Sequence, residues 1–263
     1  MTEDRWSGGD AYERWIGRWS RPVGAIFVDW LGVPAGARWL DVGCGTGALS
    51  ETILTRAAPA SVSGIDPSAS FVDHAARAVD DARASFAVGA AEAIPVADTS
   101  VDVAVAGLVL NFVRDLPAAL AEMRRVVTAG GTVGGYVWDY AGRMELMRRF
   151  WDAAVAVDPA AAALDEAARF PICGEEPLRA AFVDAGLRAV EVRAIEVPTI
   201  FTDFDDYWSP LLSGVAPAPG YTMSLGEDRR TELRERLRST LPAEADGSIH
   251  LVARAWAVRA RTS

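Results

Sequence analysis

The sequence predicts an α/β fold: a Rossmann-like, mostly parallel seven-stranded sheet with helices on both faces, an N-terminal lid, and an insert between strands six and seven. Three observations predict it. Short apolar runs alternate with helical stretches between residues 35 and 140. The first run breaks directly into glycines at 43, 45 and 47. The second ends in Asp66, about 20 residues further on, where such sheets carry an acidic group for a ribose. The expected organisation is one domain over 1–263, with lid helices in 1–34, a cofactor-binding core in 35–140, and acceptor-side helices, the insert and the last two strands in 141–263.

Residues 39–47, Trp-Leu-Asp-Val-Gly-Cys-Gly-Thr-Gly, read as a buried strand entering a glycine turn, with a helix from Ala48 to Ala57 behind it. Without a Cβ, glycine takes positive φ and lets a ligand lie against the backbone. The start of the helix offers unpaired N–H groups. Gly43, Gly45 and Ala48 also satisfy the loose dinucleotide pattern G-x-G-x-x-G/A. Asp41 and the third glycine point away from a pyrophosphate. A carboxylate in the turn repels phosphate and attracts an ammonium group, and Gly47 makes the turn more open. Cys44 and Thr46 complete the turn, Cys44 as a small residue within it.

Here the chain resembles the class I S-adenosylmethionine-dependent methyltransferases, of the type 11-like group, through Asp41, Gly43, Gly45 and Gly47. The resemblance implies that this turn lies along the methionine part of S-adenosylmethionine. Ser61 to Asp66 reads as the second strand, and the resemblance makes Asp66 the ribose ligand. Two acceptor oxygens suit a cis-diol. Asp66 also reads as a helix N-cap, compatibly with that role. Pro67 and Ser68 open the next helix, which carries His74. Ser85 to Gly89 reads as the third strand and Ala90 to Pro95 as a loop. In similar proteins this loop carries an aspartate for the adenine amino group. Ala90 stands there instead, which leaves the Ala91 backbone, Glu92 or apolar contact to hold the base.

Val101 to Ala106 is nearly all apolar, the mark of a strand covered on both faces. Leu108 falls where relatives contact the methionine end by backbone. Asn111 stands where many relatives carry a histidine. It cannot take up a proton, but it can hydrogen-bond the acceptor or the cofactor. Leu116 to Val127 reads as a helix, with Leu116, Leu120, Met123 and Val127 at helical spacing. Ala129-Gly130-Gly131 stops it, and Thr132 to Tyr140 reads as strand five. Helices are expected over Met144–Val157, Ala160–Ala168 and Glu175–Ala185, strands over Ala189–Val197 and Ile249–Arg259. The insert, Thr202 to Gly247, holds Phe204, Tyr207, Trp208 and Tyr221 ahead of an Arg/Glu-rich helix near Asp228–Thr240. Its aromatics read either as an acceptor pocket or as packing.

Residues 5–30 hold four of the nine tryptophans. They read equally as a lid over the cofactor or as helices packed on the sheet. The resemblance carries Tyr12 and Arg21 to the methionine end. The formal charge of −10 argues against nucleic acid as the main substrate. No lysine occurs, so every non-terminal cation other than histidine is arginine. Two cysteines without C-x-x-C spacing argue against a disulfide framework or zinc site. No signal-peptide pattern and no apolar run of the ~20 residues a membrane span needs predict a cytoplasmic protein with no membrane partner.

The expected activity is methyl transfer from S-adenosylmethionine to a small-molecule acceptor, with no metal. Proximity and exclusion of water carry most of such a reaction. No base is strongly signalled: Tyr12, Asn111 and His250 are the catalytic candidates, with Asp139 and Tyr140 as further proton acceptors. Two alternatives remain open. One is a nicotinamide-dependent oxidoreductase. The other is a cofactor-binding protein or non-methylating catalyst on the same fold.

Overall fold

A computed structural model describes residues 16–214 and 216–263. In chain order the elements are α1 (Arg18–Leu31), β1 (Arg38–Val42), α2 (Ala48–Arg56), β2 (Ser61–Asp66), α3 (Ala69–Ala78), β3 (Ala84–Val88), β4 (Val101–Gly107), α4 (Leu116–Val126) and β5 (Val127–Trp138). Then come α5 (Glu145–Val157), α6 (Glu166–Arg169), α7 (Glu175–Asp184), β6 (Arg188–Phe201), α8 (Phe204–Trp208), α9 (Pro217–Ser224), α10 (Glu227–Thr240) and β7 (Ile249–Arg261). The seven strands form one sheet in the order β3-β2-β1-β4-β5-β7-β6. The pairs β1–β2, β2–β3, β1–β4 and β4–β5 are parallel, and β5–β7 is antiparallel. The predicted fold class stands.

The chain forms two compact units. The core unit comprises Arg21–Trp138, Ile172–Ile195 and Ala255–Ser263, and the second unit takes the described residues up to Ser20, Asp139–Pro171 and Glu196–Arg254. In the core unit the central strands are buried on both faces. Trp39, Leu40, Val103, Ala104, Val105 and Ala106 are all essentially inaccessible. A parallel sheet needs such runs because helices cover both of its sides.

The core-unit part of α1 is packed: Val23, Phe27 and Leu31, at i, i+4 and i+8, are buried, and the Phe27 ring lies 4.8 Å from that of Tyr136 on β5. This is the packed-helix alternative for the N-terminal segment from residue 21. Tyr12 lies outside the described residues.

Three elements differ from expectation. β5 begins at Val127, which pairs with Val101; the chain bulges over the next four residues, and regular pairing resumes at Thr132↔Val103. Gly130 takes φ +72° inside that bulge, so the Gly-Gly pair bends the strand instead of preceding it. The helix expected over Ala160–Ala168 is split into a 3-10 turn, Pro159–Leu164, and the short α6. Asp158 and Asp165 each accept a backbone N–H two residues ahead, so each starts its own turn and the second interrupts the first. β6 runs to Phe201, four residues past the predicted end, with Ile195, Val197, Thr199 and Phe201 buried in alternation. Among the described residues, no helix is long and apolar enough to cross a membrane.

Phe27 is wholly buried. Phe27→Ala should therefore destabilise the chain by about 3–5 kcal/mol, read from the midpoint of urea unfolding.

Candidate functional site

Strand order reverses between β1 and β4, and the chain leaves these neighbouring strands in opposite lateral directions. A crevice opens beyond their C-terminal ends, the usual ligand position in open α/β sheets. Its walls are the turn after β1 and the segment after β4. They meet closely, since a Cβ on Gly43 would lie 2.5 Å from Val109 Cγ2. With φ of +72°, Gly43 also holds a backbone conformation that side chains disfavour. At Gly45 (φ +52°) an added Cβ would meet nothing within 4 Å, so the turn is open there.

The turn is held from β2. The N–H groups of Gly43 and Cys44 both donate to Ile65 O, at 2.8 and 2.9 Å. Asp66 continues this anchorage through its side chain: Oδ2 accepts from Gly45 N at 3.1 Å and Oδ1 from Ser68 N at 2.8 Å. Each oxygen keeps lone-pair capacity for a hydroxyl donor. Burial raises the Asp66 pKa, and the two backbone N–H groups oppose that rise. The α3 N-cap is Ser68, whose Oγ accepts from Phe71 N; this corrects the N-cap reading of Asp66.

Asp41 sits deeper than its position in the sequence predicts. It is 1% exposed, under the turn, where Oδ2 accepts the Ser50 hydroxyl at 2.7 Å. Oδ1 is buried without a partner. Burial pushes the Asp41 carboxyl up to about 7, with Ser50 opposing and Asp66 adding to the rise. Ser50 was missed by sequence reasoning, since a serine in a helix after such a turn carries no signal of its own. Cys44 is buried, and desolvation together with Asp41 and Asp66 raises its thiol well above the ordinary value. Thr46 is partly exposed and Gly47, at φ +91°, is the residue before α2.

On the opposite wall Leu108 adopts φ +59°, unusual for a branched residue, and its N–H donates to Tyr136 O at 2.8 Å. Asn111 lies in a 3-10 turn, Leu110–Phe112, with Nδ2 buried and unpartnered. Pro67 is exposed and Ala91 partly so. Glu92 turns towards the chain: its Oε1 accepts from the N–H groups of Arg114 and Asp115, at 3.2 and 3.4 Å. Those bonds fasten the loop after β3 to the start of α4. Arg21 is exposed on α1 and forms an ion pair with Glu51 at 3.0 Å.

The remaining candidates belong to the second unit. His250 is exposed, with Nε2 3.1 Å from Ser248 Oγ. Asp139 is buried and accepts from Arg254 Nε at 2.6 Å and Arg143 N at 2.8 Å. These bonds occupy Asp139 as an anchor for the start of α5. Tyr140 is buried against Phe170.

Residues 40–134 match the family model described as a methyltransferase domain. This segment is similar to the class I methyltransferases. The family's cofactor is S-adenosylmethionine. The chain is 38% identical over 108 residues to the ubiquinone/menaquinone biosynthesis C-methyltransferase of Dinoroseobacter shibae, covering 40% of this chain and 43% of that one. It is 35% identical over 113 residues to the malonyl-[acyl-carrier protein] O-methyltransferase of Serratia marcescens, covering 43% of each. The chain thus spans under half the length of these two relatives. Among solved structures, phosphoethanolamine N-methyltransferase 2 of Haemonchus contortus, in complex with S-adenosyl-L-methionine, superposes with a TM-score of 0.60 at 18% identity. That match covers all of this chain and 58% of the other, and the likeness is one of fold.

The crevice suits such a cofactor in three respects. A buried carboxylate oxygen lacks a partner, a second carboxylate keeps acceptor capacity at the end of β2, and the glycine turn is open at Gly45.

Asp41 has a pH consequence. Its folded pKa lies above the unfolded value of about 3.9. Its contribution to stability is therefore full below that value and is lost as pH rises towards 7. Glu166, buried beside Trp151 and also pushed up to about 7, adds a separate share. In thermal unfolding followed from pH 4 to 8, Asp41→Asn should flatten the decline by at most about 1.4 kcal/mol per pH unit.

Proposed function

We propose that this chain transfers a methyl group from S-adenosylmethionine to a small-molecule acceptor, in a cytoplasmic setting. The observation that carries this reading is Asp66, which closes β2 and holds the Gly45 N–H while keeping acceptor capacity on both oxygens. When bound, the cofactor supplies a methyl group already activated on a sulfonium. What the protein must add is position and dryness.

In this reading Asp66 receives the ribose hydroxyls. Gly43, Cys44, Gly45, Thr46 and Gly47 present backbone to the methionine part, and Asp41 offers its unpartnered oxygen from beneath. Leu108 and Arg21 complete the methionine end, with Tyr12 proposed alongside them. Pro67 and the Ala91 backbone face the adenine. Glu92 shapes that loop through Arg114 and Asp115, and its carboxylate is already engaged there. Asn111 serves as a donor through its unpartnered Nδ2, orienting an acceptor oxygen without moving a proton.

The test compares S-adenosylhomocysteine with NADH as stabilising ligands, by thermal shift and calorimetry, on the wild type and on Asp66→Ala. At ~100 times its dissociation constant, S-adenosylhomocysteine should add about 2.7 kcal/mol to the wild type, and this gain should vanish in the variant. Stabilisation by NADH instead would favour the oxidoreductase reading. Methyl transfer itself is read as S-adenosylhomocysteine released in the presence of an acceptor.

A further inference from the structure

The second unit holds a cluster of hydrogen-bond donors that the methyl-transfer reading does not use. Arg18 lies in the angle between two rings, with Cζ 4.5 Å from the centroid of Trp19 and 4.8 Å from that of Phe201. The two rings meet edge-on at 5.7 Å. The guanidinium spends one nitrogen on Asp206, with Nη1 donating to Oδ1 at 3.0 Å and Oδ2 at 3.4 Å. Asp206 is itself fixed, since its Oδ2 accepts from Thr202 N and its own N–H donates to Asp203 Oδ1. The other edge of Arg18, Nε and Nη2, is buried with no partner. So are the Trp19 indole N–H and the hydroxyl of Thr199, a residue that is itself 0% exposed. Thr199 precedes Phe201 by two residues on β6, hence on the same strand face.

Half-buried arginines elsewhere among the described residues show what a structural role looks like. Arg125 uses Nε, Nη1 and Nη2 on Glu122, Asp98 and the carbonyls of Val96 and Ile94. Arg148 likewise engages all three nitrogens. A single unpaired indole N–H also occurs at Trp39, in the sheet core. At Arg18 the situation differs: three unpaired buried donors, Nε, Nη2 and the Trp19 indole N–H, lie on adjoining residues, and the unpaired Thr199 hydroxyl lies on the strand face that carries Phe201. A buried donor without an acceptor is costly, so this cluster is built for an acceptor. The Nε–Nη2 edge is the planar fork that matches a carboxylate in two parallel bonds. The flanking rings supply an apolar surface for the body that carries it.

We propose that Arg18, Trp19 and Thr199 form a binding site for the carboxylate of a small apolar acid. Arg18 supplies the bidentate fork, the Trp19 N–H and the Thr199 hydroxyl supply flanking donors, and the Trp19 and Phe201 rings cover the apolar body. Asp206 orients the fork by holding Nη1, leaving the opposite edge for the ligand. The site is independent of methyl transfer, and its test needs neither cofactor nor turnover.

The experiment uses the whole chain labelled with 15N at the tryptophan indoles, with the Trp19 resonance assigned by its loss in Trp19→Phe. Sodium benzoate is the probe, and benzamide is its neutral, same-shaped control. Benzoate should shift the Trp19 indole resonance saturably, with binding at least roughly tenfold tighter than benzamide, because only the carboxylate accepts two charge-assisted bonds. Arg18→Lys keeps the charge but loses the fork, and should weaken benzoate by a similar factor; Thr199→Val should weaken it less. The Trp39 indole resonance reports that each variant is folded. The proposal is overturned if benzoate leaves Trp19 unmoved, if benzamide binds equally well, or if folded Arg18→Lys binds benzoate unchanged. The benzoate–benzamide comparison on the wild type decides the matter even should a variant not fold.

Discussion

The Asp66 carboxylate organises the candidate site. One of its oxygens takes the N–H of Gly45 from the turn after β1, and the other takes the N–H of Ser68 at the entry to α3. A single buried group thus ties together two crossovers that would otherwise meet only through the sheet. Its charge-assisted bonds are stronger than neutral ones, and they keep the group polar where burial alone would drive it towards protonation. Around that anchor the turn can remain open at Gly45 without losing its shape.

Asp41 is the second layer of the same design. It lies under the turn, bound to Ser50 of α2, so strand, turn and helix share one buried hydrogen bond. The cost is a carboxyl held in an apolar setting with one oxygen unpartnered. Leu108 across the crevice shows a comparable compromise in its backbone, held at positive φ by its bond to Tyr136. Both compromises sit at the switch point, where the surrounding parallel strands hold them in place.

Much of this was legible in the sequence. The strands from Arg38 to Gly107, the helices behind them and the two acidic strand ends follow from apolar periodicity and glycine spacing, which are local signals. The insert before β7 was legible too, because a turn-rich aromatic stretch separates two β-patterned runs. What was not legible depends on partners distant in sequence. Ser50 beneath Asp41 and Glu92 bound to Arg114 and Asp115 need a folded sheet to bring them together. The Gly-Gly pair looked like a helix stop, yet it became a bulge because Val127 already finds Val101 across the ladder. The break at Asp165 was missed because an alanine-rich stretch masks a capping aspartate.

The position of β7 has a bearing on how the chain acquires its shape during synthesis. Residues 255–261 pair antiparallel with 132–138, and β7 stands between β5 and β6 in the sheet. β6 is made earlier but has no place beside β5 until β7 exists. A nascent chain that has emerged only as far as the insert therefore carries one sheet edge, along β5, with its hydrogen-bonding groups open. Such an edge invites pairing with other extended chains. Completion of the sheet is a late, long-range event, and the interval before it is when this protein is most exposed to misassembly.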